Sequence, residues 1–250
     1  QNVDYAIGVE LTNLYSLMKE DPSSIPQNFE DLILALIVIN KGQISITNAH
    51  LIALICVFYY KRQNPPNYWR LIPVLTEEVK KLRRPSIYIL GLLSRLLCDG
   101  FKSQLPMPIQ YLLKVNDETL FPLICQCFRR IIKGTGTFLI QQIPDIFGFI
   151  FAGSSSTNEL IRIESVKSIP TLLEYAHISI KKLLPIVGQL LSYTTKEMRY
   201  AAAKSLAKLI YIGAKSDSNP DGKRGNDNIA ETIIRDTNKE QDENEKSKES

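Results

Sequence analysis

Histidine and cysteine are scarce in this chain of 250 residues, which contains two histidines and four cysteines. Cys125 and Cys127 are two residues apart in a segment with helical spacing. Their side chains therefore differ by about 200° around the helix and cannot bind one metal ion together. His50 and His177 are the only histidines that could add to them. We therefore predict no metal site and interpret the cysteines as buried free thiols of a reducing compartment.

Long apolar runs are also missing. The longest, Leu32–Ile39 and Leu51–Tyr60, are well short of the roughly 20 residues that span a bilayer. The chain begins at Gln1 without a methionine, which indicates a fragment or a processed form, and its first residues lack the pattern of a secretory signal. These features predict a cytoplasmic protein without a transmembrane segment. Any association with a membrane is expected to be peripheral and through partner proteins.

Motifs of catalysis are absent as well. Neither histidine lies in a recognisable nucleophile context, so the sequence offers no Ser-His-Asp set. The segment Gly134-Thr135-Gly136 has no strand before it and no lysine after it, which indicates a helix stop rather than a phosphate-binding loop. The sequence predicts a protein that is not an enzyme and that needs no cofactor.

Charge is distributed unevenly along the chain. Residues 216–250 hold ten acidic and six basic residues, whereas residues 1–215 hold 24 basic and 16 acidic residues. In the last segment the only aliphatic residues larger than alanine are Ile229, Ile233 and Ile234. Such a composition cannot bury enough apolar area to offset the entropy of ordering. We predict a helical repeat domain over 1–215 and a disordered charged linker or tail over 216–250.

Basic clusters occur at Lys80–Arg84, Arg129-Arg130 and Lys181-Lys182. They stand at the ends of predicted helices, where cations complement the helix dipole. No zinc finger, aromatic platform or recognition helix accompanies them. This argues against nucleic-acid binding, and a basic nucleic-acid-binding scaffold is only the third hypothesis for function.

Apolar residues recur with helical spacing through nearly the whole chain, and no long run of strict alternation predicts a sheet. Turn and cap signals predict helices over 3–19, 27–39, 46–62, 67–82, 86–99, 106–115, 118–133, 138–152, 158–176, 179–192 and 195–213. The connections are mostly short, so successive helices are expected to be antiparallel neighbours.

An internal repeat is visible in the last third of the chain. Six residues of one predicted helix recur 37 positions later in another: Arg162, Ile163, Val166, Ile169, Leu172 and Leu173 match Arg199, Tyr200, Ala203, Leu206, Leu209 and Ile210. Paired helices with this period resemble HEAT repeats. The resemblance covers about residues 27–213 and implies an all-α fold, a right-handed α-α superhelix of about five helix pairs, as in HEAT and armadillo-like solenoids.

Arg162 and Arg199 stand where HEAT repeats carry a basic residue at the opening of the second helix. In that family an aspartate in the turn commonly pairs with this arginine and forms a ladder between repeats. The resemblance therefore implies a structural role between repeats for both arginines. Thr194 or Thr195 occupies the aspartate place in the last repeat, so the ladder is incomplete.

The helix predicted over 195–213 has two distinct faces. Its apolar face, which we expect to pack against the helices over 158–176 and 179–192, consists of Tyr200, Ala203, Leu206, Leu209 and Ile210. A row of lysines at 196, 204 and 208 lies on another face. This row is interpreted either as a solvated face or as a partner-binding surface formed by Lys204 and Lys208.

Three segments occur in the order "RRPSIYILGLLSRLLCDGF", "PLICQCFRRIIKGTG" and "EMRYAAAKSLAKL". This layout is similar to the amino-terminal region of the large HEAT-repeat accessory proteins of clathrin adaptors, which act in traffic between endosomes and the Golgi. The resemblance implies a scaffold or adaptor that binds other proteins in intracellular vesicle transport. A nuclear-transport-receptor-like fragment and the helical regulatory region of a larger kinase are the alternatives.

Overall fold

A computed structural model describes residues 2–22, 25, 28–38, 44–63, 66–97, 101–139, 141–176, 187–188, 190–192 and 195–217. Within these ranges the secondary structure is helical without a β-strand, which confirms the all-α prediction there. The ten α-helices of these ranges are α1 Asn2–Glu20, α2 Phe29–Val38, α3 Ile46–Lys61, α4 Leu71–Lys80, α5 Arg84–Leu97, α6 Pro106–Leu113, α7 Phe121–Thr135, α8 Ile143–Ser154, α9 Glu159–Ala176 and α10 Lys196–Asp217. The helix predicted over 179–192 lies largely outside the described residues, as does the predicted tail beyond Asp217.

Two helices, α4 and α8, begin four and five residues later than predicted because the chain turns first. α4 begins at Leu71 rather than 67, because the Asn67 side chain accepts a hydrogen bond from the backbone N–H of Trp69 at 3.2 Å. This side-chain bond competes with the helical one and holds a turn. α8 begins at Ile143 rather than 138, because Gly136 has a φ of 57° and opens a short 3-10 helix. Positive φ suits glycine and interrupts the α-helical path.

The chain divides into two compact units, Gln1–Phe138 and Leu139–Ser250. In the first unit the odd-numbered helices α1, α3, α5 and α7 pack on one another in one row, and the even-numbered helices α2, α4 and α6 pack in a second row. The two rows meet through the pairs α2–α3 and α4–α5. Unit 1 is therefore built from two layers of helices.

Helices of the same row run parallel. In the odd row, the backbone N–H of Ser45 at the start of α3 donates to Asp4 at the start of α1, and the rings of Phe58 and Tyr15 meet towards the other ends. The even row behaves likewise. Arg70 before α4 pairs with Glu30 in α2, and Arg83 after α4 donates to the carbonyl oxygen of Val38 at the end of α2.

Aromatic side chains join the two layers of unit 1. Phe29 of α2 contacts Tyr59 of α3 at 5.5 Å between ring centroids, and Tyr60 continues through Tyr68 to Phe101 at 5.2 and 5.9 Å. The buried hydroxyl of Tyr60 donates to Glu30 at 2.9 Å, and burial together with this carboxylate raises the pKa of Tyr60. The buried hydroxyl of Tyr60 thus has a hydrogen-bond acceptor inside unit 1, as most buried polar groups do.

In the second unit α9 packs between α8 and α10. α9 and α10 are parallel, because their contacts advance together along both helices. Thr195 beside the start of α10 bonds Glu159, Ser205 donates to the carbonyl oxygen of Val166 at 2.9 Å, and Lys208 pairs with Glu174 at 3.2 Å. The expected contact between the helices over 158–176 and 195–213 is confirmed.

The apolar face predicted for α10 is wrong in most of its residues. The side that packs on Ile163 and Val166 of α9 carries Met198, Ala201 and Ala202, and it continues through Ser205 and Leu209. Of the predicted set, Leu209 is buried, whereas Tyr200 and Ile210 are 69% and 57% exposed and Ala203 is exposed. Alanine and serine let two helix backbones approach closely, so the side with the smaller residues makes the contact.

Candidate protein-binding surfaces

Lys204 and Lys208, the residues predicted to bind a partner, lie one turn apart on one flank of α10. Lys204 is exposed, and none of the described carboxylates forms an ion pair with it. Lys208 is half exposed, and its Nζ lies 3.2 Å from Glu174 Oε2 on α9. Lys208 therefore also links α9 to α10, while Lys204 remains accessible to a ligand. Their role in binding stays a prediction.

Arg162 and Arg199, the predicted inter-repeat residues, occupy equivalent positions near the starts of α9 and α10. Arg162 is half-buried, and its Nη1 donates to the carbonyl oxygens of Ser156 and Thr157 at 2.5 and 2.9 Å, which secures the turn before α9. Arg199 is exposed. Thr195 stands where HEAT repeats commonly carry an aspartate, and its hydroxyl forms a hydrogen bond with the Glu159 carboxylate of α9. The contribution of the two arginines to repeat stacking stays a prediction.

A row of exposed apolar residues follows α10 opposite its buried face. We call it the α10 stripe and define it as Tyr200, Ala203, Ala207, Ile210 and Tyr211. Tyr211 is 67% exposed, much like Tyr200. Three of these five residues, at 200, 203 and 210, are the repeat equivalents of Ile163, Val166 and Leu173, which are all buried in α9. The stripe is therefore the surface that a stacked neighbour covers one repeat earlier.

Unit 1 carries a second apolar surface, between its first two helices. This α1–α2 groove has a volume of about 740 Å³ and is lined by Val3, Ala6, Ile7, Glu10, Leu11 and Leu14 of α1 and by Leu32 and Leu36 of α2. Val3 is 73% exposed and Leu32 is 45% exposed, whereas Leu11 also belongs to the core. Glu10 is the one charged residue among the described residues of the lining. Such a groove suits a largely apolar ligand with a cation at one edge.

A polar cluster in the odd row joins three helices that are distant in sequence. His50 Nδ1 of α3 lies 3.0 Å from the hydroxyl of Tyr88 in α5, within hydrogen-bond distance. The guanidinium of Arg130 in α7 lies 4.2 Å from the centroid of the Tyr88 ring, a cation–π contact. Sequence reasoning left both histidines without partners, and only the approximate repeat spacing between positions 50, 88 and 130 could have suggested the cluster.

Three cysteines lie in the core of the part of the chain that the structure describes. Cys56, Cys125 and Cys127 are buried free thiols, and burial raises the pKa of Cys56 and of Cys127 to about 12. Their thiols therefore remain protonated near neutral pH, and a thiol is a poor nucleophile and metal ligand. Among the described residues no cluster of three histidine, cysteine, aspartate or glutamate side chains could hold a metal ion. The surfaces above are the candidate functional sites.

Membrane insertion has no candidate in the part of the chain that the structure describes. None of its helices has the length and apolarity needed to cross a bilayer.

Comparison with known proteins adds no relative. No protein-family model matches the chain, and no curated protein or solved structure is significantly similar to it.

Proposed function

We propose that this chain is a non-enzymatic protein-binding scaffold whose helix pairs stack as HEAT-like solenoid repeats within each unit. Two facts support the architecture: helices of the same row are parallel, and each packs on the next helix but one. This is the arrangement of repeats that bury their apolar faces against their neighbours. A scaffold of this kind acts through its exposed faces.

The α1–α2 groove is the observation that carries the proposed function. Apolar grooves between two helices accept the apolar side of a third helix, whose anchors recur at i, i+3, i+4 and i+7. α1 has 19 residues and is therefore about 28 Å long, enough to accompany a partner helix for several turns. The proposed ligand is an amphipathic helix of another protein with a lysine or arginine beside its apolar side, opposite Glu10.

The ligand can be tested by selection from a displayed library of helical peptides, followed by affinity measurements on the full chain. Selected peptides should carry apolar residues at helical spacing and a basic residue at the edge. Leu32→Glu should weaken their binding tenfold or more, because burial of an unpaired carboxylate opposes an apolar contact. Val3→Asp should act in the same direction.

Val9→Asp is the matched control for Val3→Asp. Val9 is 41% exposed on the same helix and does not line the groove. It receives the same substitution and should bind the selected peptides as the unmodified chain does. If the Leu32→Glu and Val9→Asp proteins bind equally well, the groove is not the binding site and the proposal fails.

Endosome–Golgi transport is the cellular setting proposed for this scaffold, and the sequence resemblance to adaptor accessory proteins supports it. A tagged full chain is expected to colocalise with endosomal or Golgi markers through its partners, and Leu32→Glu should weaken that localisation. A uniform distribution of both proteins would count against this setting while leaving the peptide result untouched.

A further inference from the structure

We infer that the α10 stripe is a second docking surface, and that its ligand is an acidic amphipathic helix of another protein. The internal repeat provides the first argument for this inference. Ile163 and Val166 of α9 are covered by the small-residue side of α10, and they are 8% and 0% exposed. Their equivalents on α10, Tyr200 and Ala203, are exposed. The same kind of surface is thus buried by a parallel helix in one repeat and open in the next.

The shape of the stripe suits a helix. Ala203 and Ala207 lie one turn apart along its middle, which permits close approach of a second helix backbone. Tyr200, Ile210 and Tyr211 flank these alanines and offer larger apolar contacts that are accessible to solvent. Tyrosine also provides a rigid contact with a polar end, as binding surfaces often do.

The charges beside the stripe decide the kind of partner. Lys196 stands at its beginning, Lys204 and Lys208 follow one edge, and Arg199 follows the other. Among the described side chains of α10 the carboxylate is Glu197, and Glu174 of α9 pairs with Lys208 at 3.2 Å. Lys204 is the cation of this edge that no described carboxylate pairs with. Two copies of α10 packed face to face would bring like charges together, which opposes self-association. A helix with glutamate or aspartate beside its apolar face, opposite Lys204, matches this surface.

Fluorescence anisotropy with two labelled peptides tests the inference on the full chain. Each peptide is a five-turn helix of about 18 residues with leucine and alanine on one face. One carries glutamate at the flanking positions, and the other carries lysine at the same positions. The measurements use the full chain with Leu32→Glu, which weakens binding of a basic amphipathic helix in the α1–α2 groove. We expect this chain to bind the glutamate peptide at least tenfold more tightly than the lysine peptide in dilute buffer. This preference should shrink at about 0.15 M salt, where the Debye length is near 8 Å.

Two substitutions by uncharged glutamine test whether the apolar residues of the α10 stripe contact the peptide. Ile210→Gln and Tyr200→Gln should each weaken binding of the glutamate peptide about fivefold, since each removes part of an apolar contact while glutamine is compatible with the helix. Leu160→Gln is the matched control, because Leu160 is 66% exposed in α9 and lies outside the stripe. Circular dichroism verifies that all variants remain helical.

A charge-reversing substitution tests whether the lysine edge of the α10 stripe contacts the peptide. Lys204→Glu should weaken the glutamate peptide and strengthen the lysine peptide, each by about two- to fivefold, as expected for exposed charge pairs. Without Leu32→Glu, the chain should bind the glutamate peptide with the same affinity and the lysine peptide more tightly, because the α1–α2 groove is then open. Failure of the groove proposal and failure of this one are therefore distinguishable.

Three results would overturn the inference. The first is equal binding of the two peptides by the full chain with Leu32→Glu. The second is absence of peptide binding, as would follow if the acidic residues 218–250 of the same chain occupied the stripe. The third is concentration-dependent dimerisation that Ile210→Gln abolishes while peptide binding is unchanged, which would make a second copy the occupant.

Discussion

Replacement of Gly134 by alanine is expected to destabilise unit 1, because this glycine is a point of closest approach between α5 and α7. A Cβ atom at position 134 would lie 2.2 Å from the carbonyl oxygen of Ser94 and 2.6 Å from the Cα of Arg95. Both are backbone atoms, so no change of rotamer can relieve the overlap. The two parallel helices would have to move apart.

The magnitude follows from two opposing effects. A Cβ at 2.2 Å is more than an ångström inside an ordinary contact of 3.4 Å, which places the change at the upper end of the roughly 1–3 kcal/mol that overpacking costs. Alanine in place of glycine inside a helix gains back about 1 kcal/mol. We expect a net loss of about 2 kcal/mol in the free energy of unfolding.

Urea denaturation followed by far-ultraviolet circular dichroism measures this loss. Gly91→Ala is the graded comparison, because its Cβ would meet the Cα of Cys127 at 3.0 Å. Gly148→Ala is the control for helix propensity, because no atom lies within 4 Å of the added carbon, and it should be neutral or stabilising by up to about 1 kcal/mol. A midpoint for Gly134→Ala at or above that of the unmodified chain would refute the close contact of α5 and α7.

Two further predictions concern buried polar groups. Because burial raises the pKa of Cys56 and of Cys127 from 9.0 to about 12, the unfolded chain releases these protons first as the pH rises, and the free energy of unfolding should fall above about pH 9. Urea midpoints at pH 8 and pH 10 measure the fall, which should be smaller in Cys127→Ala; an identical fall in that variant would contradict the assignment. Ser205→Ala should cost about 1 kcal/mol in urea denaturation, because it removes the buried bond to the Val166 carbonyl at 2.9 Å and leaves that oxygen without this donor. Unchanged stability would mean that this bond does not hold α10 on α9.

Helix positions were predictable because the apolar period and the turn residues act locally. The predicted starts at 46 and 106 coincide with those of α3 and α6. The late start of α4 depends on one side-chain bond of Asn67, and that of α8 on the conformation of Gly136. The period of the apolar residues shows neither the side-chain bond nor the glycine conformation. The first residues of α4 and α8 could therefore be located only from the structure.

The buried face of α10 was not predictable from residue size. Tyr200 and Ile210 are the larger apolar residues, so a sequence argument places them inside, yet Ala201 and Ala202 make the contact with α9. The helix is apolar on two sides, and only the position of its neighbour decides which side is covered. Lys204 was singled out from spacing alone, but the exposed stripe beside it became visible only with the packing.

The charges of the two proposed surfaces give them opposite preferences. Glu10 is the charged residue among the described lining of the α1–α2 groove, whereas Lys204 stands at the edge of the α10 stripe. Apolar contacts alone would let either surface accept the same amphipathic helix. A cation beside the apolar face is attracted to Glu10 and repelled at the stripe, and a carboxylate behaves in the opposite way. Since like charges at an interface disfavour the wrong partner, one scaffold can hold two different helical ligands without exchanging them.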